Sequence, residues 1–251
     1  MFRALLIILA IVALIGAALS QVPLGFVLKK LPLGAMGVYW TQSEGTIWKG
    51  RMMGVYLNGQ PIGDVDLALR PASLILLQPE IEVQWGGAGG RGAGVVKLDG
   101  DAIEASDLRV EQRISALESL TPELRAIGGI FRINQGAFRI ADSACETATG
   151  NVQADTLSLA AAQFGREFSD LTGSIACNDG AFNIDMSGNS PAGDTIAIDA
   201  EATLYGSSRI EVVANTTDND IETLLARAGF SRENGVWTYT RASQPLQQGV
   251  Q

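Results

Sequence analysis

The side chains that most often carry out chemistry are scarce in this sequence. The chain has 251 residues and no histidine, which is the usual general base at neutral pH and the commonest metal ligand. Its two cysteines cannot form a four-thiolate zinc site, and no serine or cysteine has a histidine to activate it. We therefore expect neither catalysis, nor a bound metal, nor a cofactor.

The two cysteines, Cys145 and Cys177, lack the Cys-x-x-Cys spacing of a catalytic redox pair. An oxidising compartment would join their thiols. The closed loop of about 33 residues would then add roughly 3–4 kcal/mol of stability. The sequence predicts a structural disulfide, which requires the two Cα atoms to lie within about 7 Å.

Two other segments resemble ligand-binding motifs. Gly87 to Gly92 matches the G-x-G-x-x-G pattern of dinucleotide-binding loops. Such a loop must open a helix, whereas Val95 to Leu98 follows with a strand pattern, so a hairpin loop is predicted. The run Asp218-Asn219-Asp220 lacks the glycine and the distant glutamate of a calcium loop. It predicts the cap of a helix instead, with Asp220 as the capping residue.

The elements that position these residues are mostly strands. Apolar and polar residues alternate along Val65 to Arg70, Glu80 to Trp85 and Ile196 to Leu204, as in antiparallel strands with one wet face. Turn signals such as Asn58-Gly59 and Asn234-Gly235 separate the runs. We expect a mainly β fold: a curved antiparallel sheet built from hairpins, with one or two short helices.

Helical signal is confined to two segments. One is Ser115 to Ile127, which Pro122 interrupts and in which Thr121 would cap a new start. The other is Asp220 to Ala228, which Gly229 ends. These segments supply the one or two short helices of the predicted fold.

One internal repeat has an offset of 44 residues. Gly129 to Ile140 aligns with Gly173 to Ile184, with six of twelve positions identical. Each copy reads as a strand, an Asn-x-Gly turn and a strand, which predicts two similar hairpins. The repeat suggests a domain of two related halves.

The N-terminus carries a targeting or membrane segment. Ala4 to Leu19 contains no polar residue, and apolar character resumes from Val22 to Leu28 before Lys29-Lys30. Sixteen residues are marginal for a bilayer, which needs about 20. The segment fits a signal peptide cleaved near Ala18-Leu19-Ser20, or an uncleaved anchor from Ala4 to about Leu28. We expect the anchor, as a single transmembrane helix.

The chain thus divides into an N-terminal membrane segment and one β-rich domain. We place the anchor at residues 1–30 and the domain at 31–243, with its two halves near 31–127 and 128–243. A disordered tail would follow at 244–251. The net charge of −9 disfavours nucleic acid and anionic lipid headgroups as electrostatic partners, because both repel an acidic surface.

The segment Gly45 to Gly50 reads Gly-Thr-Ile-Trp-Lys-Gly and holds one of only four tryptophans. In a strand, Thr46 and Trp48 would share one face, opposite Ile47. Trp48 would then pack in the core, which we expect, or be exposed as an interface anchor. The candidate interface residues are Gly45, Thr46, Trp48 and Gly50.

These residues resemble the Gly-Thr-x-Trp-x-Gly motif near the start of the type II secretion system protein N family. Leu67-x-Leu69-x-Pro71 with Leu74 is similar to the family's Trp-x-Leu-x-Pro and double-leucine element, with Leu67 where the family often has tryptophan. The stretch "LLARAGFSRENGVWTYT" resembles its C-terminal helix and hairpin. The resemblance covers nearly the whole chain.

The resemblance implies an accessory component of the bacterial inner membrane in the machine that exports folded proteins. One helix would hold the membrane, and a β-rich periplasmic domain would bind other components. A weaker resemblance to AsmA-like proteins, whose bent sheets form apolar troughs, implies a lipid-binding conduit as the alternative. A continuous apolar lining would favour lipid, and a packed or polar face would favour a scaffold.

Overall fold

The computed structural model describes residues 21–30, 33–75, 78–87, 89–117, 122–204 and 206–243. The apolar run of the predicted anchor, the predicted tail at 244–251 and the predicted cap Thr121 lie outside these residues. Within the described ranges, no helix has both the length and the apolar composition that crossing a membrane requires.

The described residues form fifteen strands and five short α-helices. The strands are β1 (Val38–Tyr39), β2 (Gln42–Gly45), β3 (Gly50–Leu57), β4 (Gln60–Leu69), β5 (Glu80–Gly87), β6 (Gly90–Asp99), β7 (Ala102–Arg113), β8 (Ile130–Ala141), β9 (Ala144–Ala154), β10 (Leu171–Asn178), β11 (Ala181–Asn189), β12 (Thr195–Ala202), β13 (Ser208–Asn215), β14 (Ser231–Glu233) and β15 (Val236–Ser243). The helices are α1 (Leu24–Leu28), α2 (Pro71–Ile75), α3 (Pro122–Ile127), α4 (Thr156–Gln163) and α5 (Asn219–Arg227).

All fifteen strands belong to one sheet, whose order is β1-β3-β4-β5-β6-β7-β8-β9-β10-β11-β12-β13-β15-β14, with β2 also paired to β3. Every pairing is antiparallel, and most neighbours follow each other in the chain, as hairpins require. The predicted antiparallel sheet of hairpins is confirmed. The helices, five within the described ranges, outnumber the one or two that were predicted.

The strand register separates an apolar face from a polar one, because directly paired residues share a face of the sheet. One unbroken row of paired residues crosses from β3 to β15 and contains no charged side chain. The row is Met52, Val65, Trp85, Gly92, Val110, Ile133, Val152, Gly173, Met186, Ile198, Val212 and Tyr239. The period-two patterns in the sequence therefore join into one continuous surface.

Two buried clusters lie on this apolar face. At one edge, Leu24 and Leu28 of α1 pack with Met52 and Val55 of β3. In the middle, Leu157 of α4 packs against a cluster formed by Val152, Ala154, Leu171 and Met186. Short helices therefore cover parts of the face.

The two copies of the repeat fold differently. The second copy is a hairpin, because Asp179 (φ 48°) and Gly180 (φ 81°) both take the positive φ that a tight primed turn requires. In the first copy Gln135 has positive φ (54°), and the register of β8 against β9 shifts after Asn134. The result is a bulge inside one strand, so the prediction of a hairpin is wrong for Gly129 to Ile140.

Candidate functional site

The Gly45–Gly50 motif forms a tight turn between β2 and β3. Gly45 and Gly50 are the last paired residues of the hairpin, and the Thr46 N–H donates to the Lys49 carbonyl at 3.0 Å. Gly45 has a φ of +80°, and a Cβ there would lie 2.5 Å from the Lys49 oxygen. The prediction that Thr46 and Trp48 share one face of a strand, opposite Ile47, is wrong, because residues 46–49 connect two strands.

This turn receives the chain that arrives from the N-terminal segment. The Ile47 N–H donates to the Val22 carbonyl at 3.2 Å, and Pro23 forms an isolated bridge with Thr46. The turn is therefore the place where the start of the chain joins the sheet.

Helix α1 packs directly on the same hairpin. A Cβ at Gly50 would lie 2.6 Å from Leu24 Cδ2, and one at Gly25 would lie 2.7 Å from the Ser43 Oγ. Both glycines thus permit a close approach of helix to sheet. Leu24 and Leu28, assigned above to the end of the anchor, are each only 5% exposed in the sheet's own core. Ala4 to Leu19 remains as the apolar run available to an anchor.

Ile47 and Trp48 are the central residues of the turn, and Lys49 follows them. Trp48 is half-buried and Lys49 is exposed. The tryptophan that packs against the α1 cluster is Trp40, which the sequence pattern did not single out. The signal that could have found it is its place five residues before the motif, at the end of an otherwise apolar stretch.

Cys145 and Cys177 are bonded, with their Cα atoms 5.6 Å apart, so the predicted disulfide is confirmed. Strands β9 and β10 are in register from Ala154 opposite Leu171 to Asn151 opposite Ser174. Beyond that stretch the disulfide and the Cys145 N–H, which donates to the Gly180 carbonyl at 2.8 Å, hold the strand ends together. The disulfide therefore joins β9 and β10 beyond the last of their paired residues.

The polar face carries a shallow cavity of about 550 Å³ that extends from β3 to β8. Its charged lining includes Arg51, Asp64, Arg91, Arg109, Glu111 and Arg132. Arg91 pairs with Glu111 at 3.0 Å, and Arg51 with Asp64 at 3.4 Å. These pairs are solvent-exposed and contribute little to stability. The sequence did not predict this group of charged residues, because only the strand register brings them together.

A second cavity, of about 400 Å³, carries an acidic row. Asp185, Asp199 and Glu211 are directly opposite one another on β11, β12 and β13. Burial, and then the interaction with Asp199, raises the pKa of Asp185. Within the part of the chain that the structure describes, no group of three or more carboxylate, cysteine or histidine side chains is arranged to hold a metal.

Asp185→Asn is expected to raise the free energy of unfolding by about 0.5 kcal/mol at neutral pH, because like charges directly opposite destabilise a sheet. The raised pKa means that this side chain stabilises the fold fully below its unfolded-state pKa of about 3.9. That stabilisation is lost as the pH rises through the folded-state pKa. The gain should therefore appear in urea denaturation at neutral pH and shrink in high salt.

The matched control is Asp66→Asn, because the Asp66 carboxylate lies 3.6 Å from the Arg51 guanidinium. That change removes an attraction and should give no gain in stability. An Asp185→Asn variant less stable than the native protein at neutral pH would contradict the assignment of repulsion to the acidic row.

The two other predicted motifs are structural. Gly87 and Gly90 close the β5–β6 hairpin, and the strand β6 follows, as predicted. The cap of α5 is Asp218 and not Asp220, since the Asp218 Oδ1 accepts from the Asp220 and Ile221 N–H groups at 2.9 and 3.2 Å. The Arg166 guanidinium also binds Asp218 and lowers the pKa of its carboxyl. The predicted cap therefore lies two residues after the observed one.

The described residues form an antiparallel β protein with a single sheet, which has one apolar and one polar face. The first hairpin of this sheet contacts the N-terminal segment. The model of the family "Type II secretion system (T2SS), protein N" matches residues 36–239. The chain belongs to this family. None of the curated proteins and none of the solved structures matches it significantly. No comparison shows the resemblance to AsmA-like proteins, which stays a prediction.

Proposed function

We propose that this protein is an accessory component of the type II secretion machinery, held in the bacterial inner membrane by Ala4 to Leu19. Its sheet is placed in the periplasm and acts as a binding module without catalysing a reaction. The observation that carries the proposal is the family match over residues 36–239, which takes in β1 to β14 and part of β15. The disulfide supports an oxidising compartment.

The C-terminal edge of the sheet is the surface best suited to another component. On its inner side β15 pairs with β13 from Trp237 to Ser243. Among the described residues, the outer side of β15 is paired only from Val236 to Thr238, where its partner is β14. The outer backbone groups of Tyr239 to Ser243 are thus available to a partner strand, and an open edge of this kind accepts one by β-augmentation.

The opposite edge presents only short strands, β1 with two residues and β2 with four. Strands β1 and β2 both pair with β3, and α1 packs on the apolar face there. A partner strand would therefore add at β15, at the far end of the sheet from the N-terminal segment. This separation would let the chain bridge the membrane and a periplasmic component.

The test is photo-crosslinking in membranes that contain the assembled machine. A photoreactive amino acid at Thr240, on the open edge, is expected to capture another secretion component. The same group at Thr172, exposed in the middle of the polar face, should capture none. Equal capture at both positions would contradict edge binding. Unchanged protein export after removal of the chain would contradict the role in secretion.

The alternative, a lipid conduit, is favoured by one observation, the continuous apolar row from Met52 to Tyr239. Between the two buried clusters its members Trp85 and Val110 are only half-buried. An acyl chain laid along this row would bury apolar surface, at about 25 cal/mol per Å². Enhanced fluorescence of cis-parinaric acid on addition of the full chain would support this function, and no change would count against it.

A further inference from the structure

The segment that leads into the first hairpin and forms it is basic in sequence, although the protein as a whole is acidic. Three of its four lysines, Lys29, Lys30 and Lys49, lie among the first fifty residues. Between residues 21 and 57 the one carboxylate is Glu44; Arg51 is paired with Asp64 and Asp66 of β4, so the lysines supply the excess positive charge. The net charge of −9 therefore conceals a positive region where the N-terminal segment joins the sheet.

The turn is also close to the end of the apolar run. The Ile47 N–H is bonded to the Val22 carbonyl, and Val22 is three residues after Leu19. Three residues span at most about 11 Å. The headgroup layer on each side of a bilayer core is about 5–7 Å thick. If Leu19 is at the edge of the core, the turn is within reach of the headgroups.

The length of the apolar run brings the turn closer still. A run of 16 residues would cover about 24 Å as an α-helix, which is less than the hydrocarbon core of about 30 Å. A short run draws its flanking residues toward the bilayer. Tryptophan and lysine are the residue types suited to headgroup depth, since each joins an apolar body to a polar end.

We propose that the Thr46–Lys49 turn rests on the phospholipid headgroup layer, with the Lys49 ammonium bound to anionic lipid phosphate and Trp48 at the interface. Lys49 is exposed and has no ion pair within the described residues. This inference rests on the proposed function, because it requires the N-terminal run to be in a membrane. The contact would orient the sheet by holding its first hairpin against the bilayer.

The test uses the full chain in vesicles of phosphatidylcholine with phosphatidylglycerol, or of phosphatidylcholine alone. Both native cysteines are in the disulfide, so an introduced cysteine takes up a fluorophore at one position. Glu44→Cys places the fluorophore beside the turn. Tyr56→Cys, at a residue that is 43% exposed, places it towards the other end of β3, about 17 Å away. A lipid with a nitroxide on its headgroup is the quencher.

Strong quenching at Glu44→Cys and weak quenching at Tyr56→Cys is the expected result. Adding Lys49→Gln should reduce the headgroup-bound population about fivefold in the anionic vesicles, the factor that one lysine contributes near such a surface. The matched change Lys97→Gln, in β6, should have no effect, and neither lysine should matter in phosphatidylcholine alone.

Equal quenching at the two positions, with the chain still floating with the vesicles, would overturn the inference and leave the anchor intact. An equal reduction of quenching by Lys49→Gln and by Lys97→Gln would also overturn the inference, because the headgroup contact would then not depend on the turn. A full chain that does not float with vesicles would overturn the anchor of the proposed function, and this inference with it.

Discussion

Removal of the Cys145–Cys177 disulfide is expected to lower the free energy of unfolding by about 3–4 kcal/mol, the chain-entropy estimate for a loop of this length. The two cysteines are 32 residues apart in sequence. The loss has a structural component as well, because β9 and β10 are in register for four residue pairs and the bond holds the strand ends beyond them. Urea denaturation of the Cys145→Ala/Cys177→Ala variant, compared with the native protein, measures the effect.

The control for this prediction is reduction by dithiothreitol. Reduction should destabilise the native protein by about as much as the double substitution, and it should leave the variant unchanged. The native, unreduced protein should present no thiol to a labelling reagent, since both cysteines are bonded. Two reactive thiols before reduction would show that the bond does not form in solution.

Leu24→Ala is expected to lower the free energy of unfolding by about 2–4 kcal/mol, because a buried leucine is replaced by a cavity. Leu24 is 5% exposed and lies over Gly50 of the motif turn. The loss should also loosen the junction with the N-terminal segment, since α1 connects that segment to the first hairpin. Hydrogen exchange of the Ile47 N–H, bonded to the Val22 carbonyl, should accelerate in the variant.

The same helix offers a matched control. Phe26 is 62% exposed, so Phe26→Ala changes a helical residue of similar size without opening a cavity, and we expect a change within about 0.5 kcal/mol. Equal losses for Leu24→Ala and Phe26→Ala would mean that α1 is not part of the domain's core. Residues 24–28 would then belong with the anchor, as the hydrophobicity of the sequence suggested.

Several features follow from the sequence alone for local reasons. Period-two alternation along Ile196 to Leu204 requires a strand with one wet face, whatever its neighbours are. Tight turns such as Asn234-Gly235 also depend on residues within the turn, because these must accept positive φ. The disulfide was predicted from the presence of two cysteines and from an apolar N-terminal run of the kind that directs export. The family motif could be recognised because its glycines and its tryptophan lie within one short segment.

Other features were decided only by tertiary structure. The two copies of the repeat share six residues of twelve, yet Gln135 makes a bulge where Asp179 makes a turn, because pairing with β7 and β9 keeps β8 continuous. Leu24 and Leu28 are as apolar as the run before them, and only the sheet beneath α1 shows that they pack on the domain. The joining of Val65, Trp85 and Ile133 into one face likewise depends on strand register, which is a relation between distant segments that no local pattern encodes.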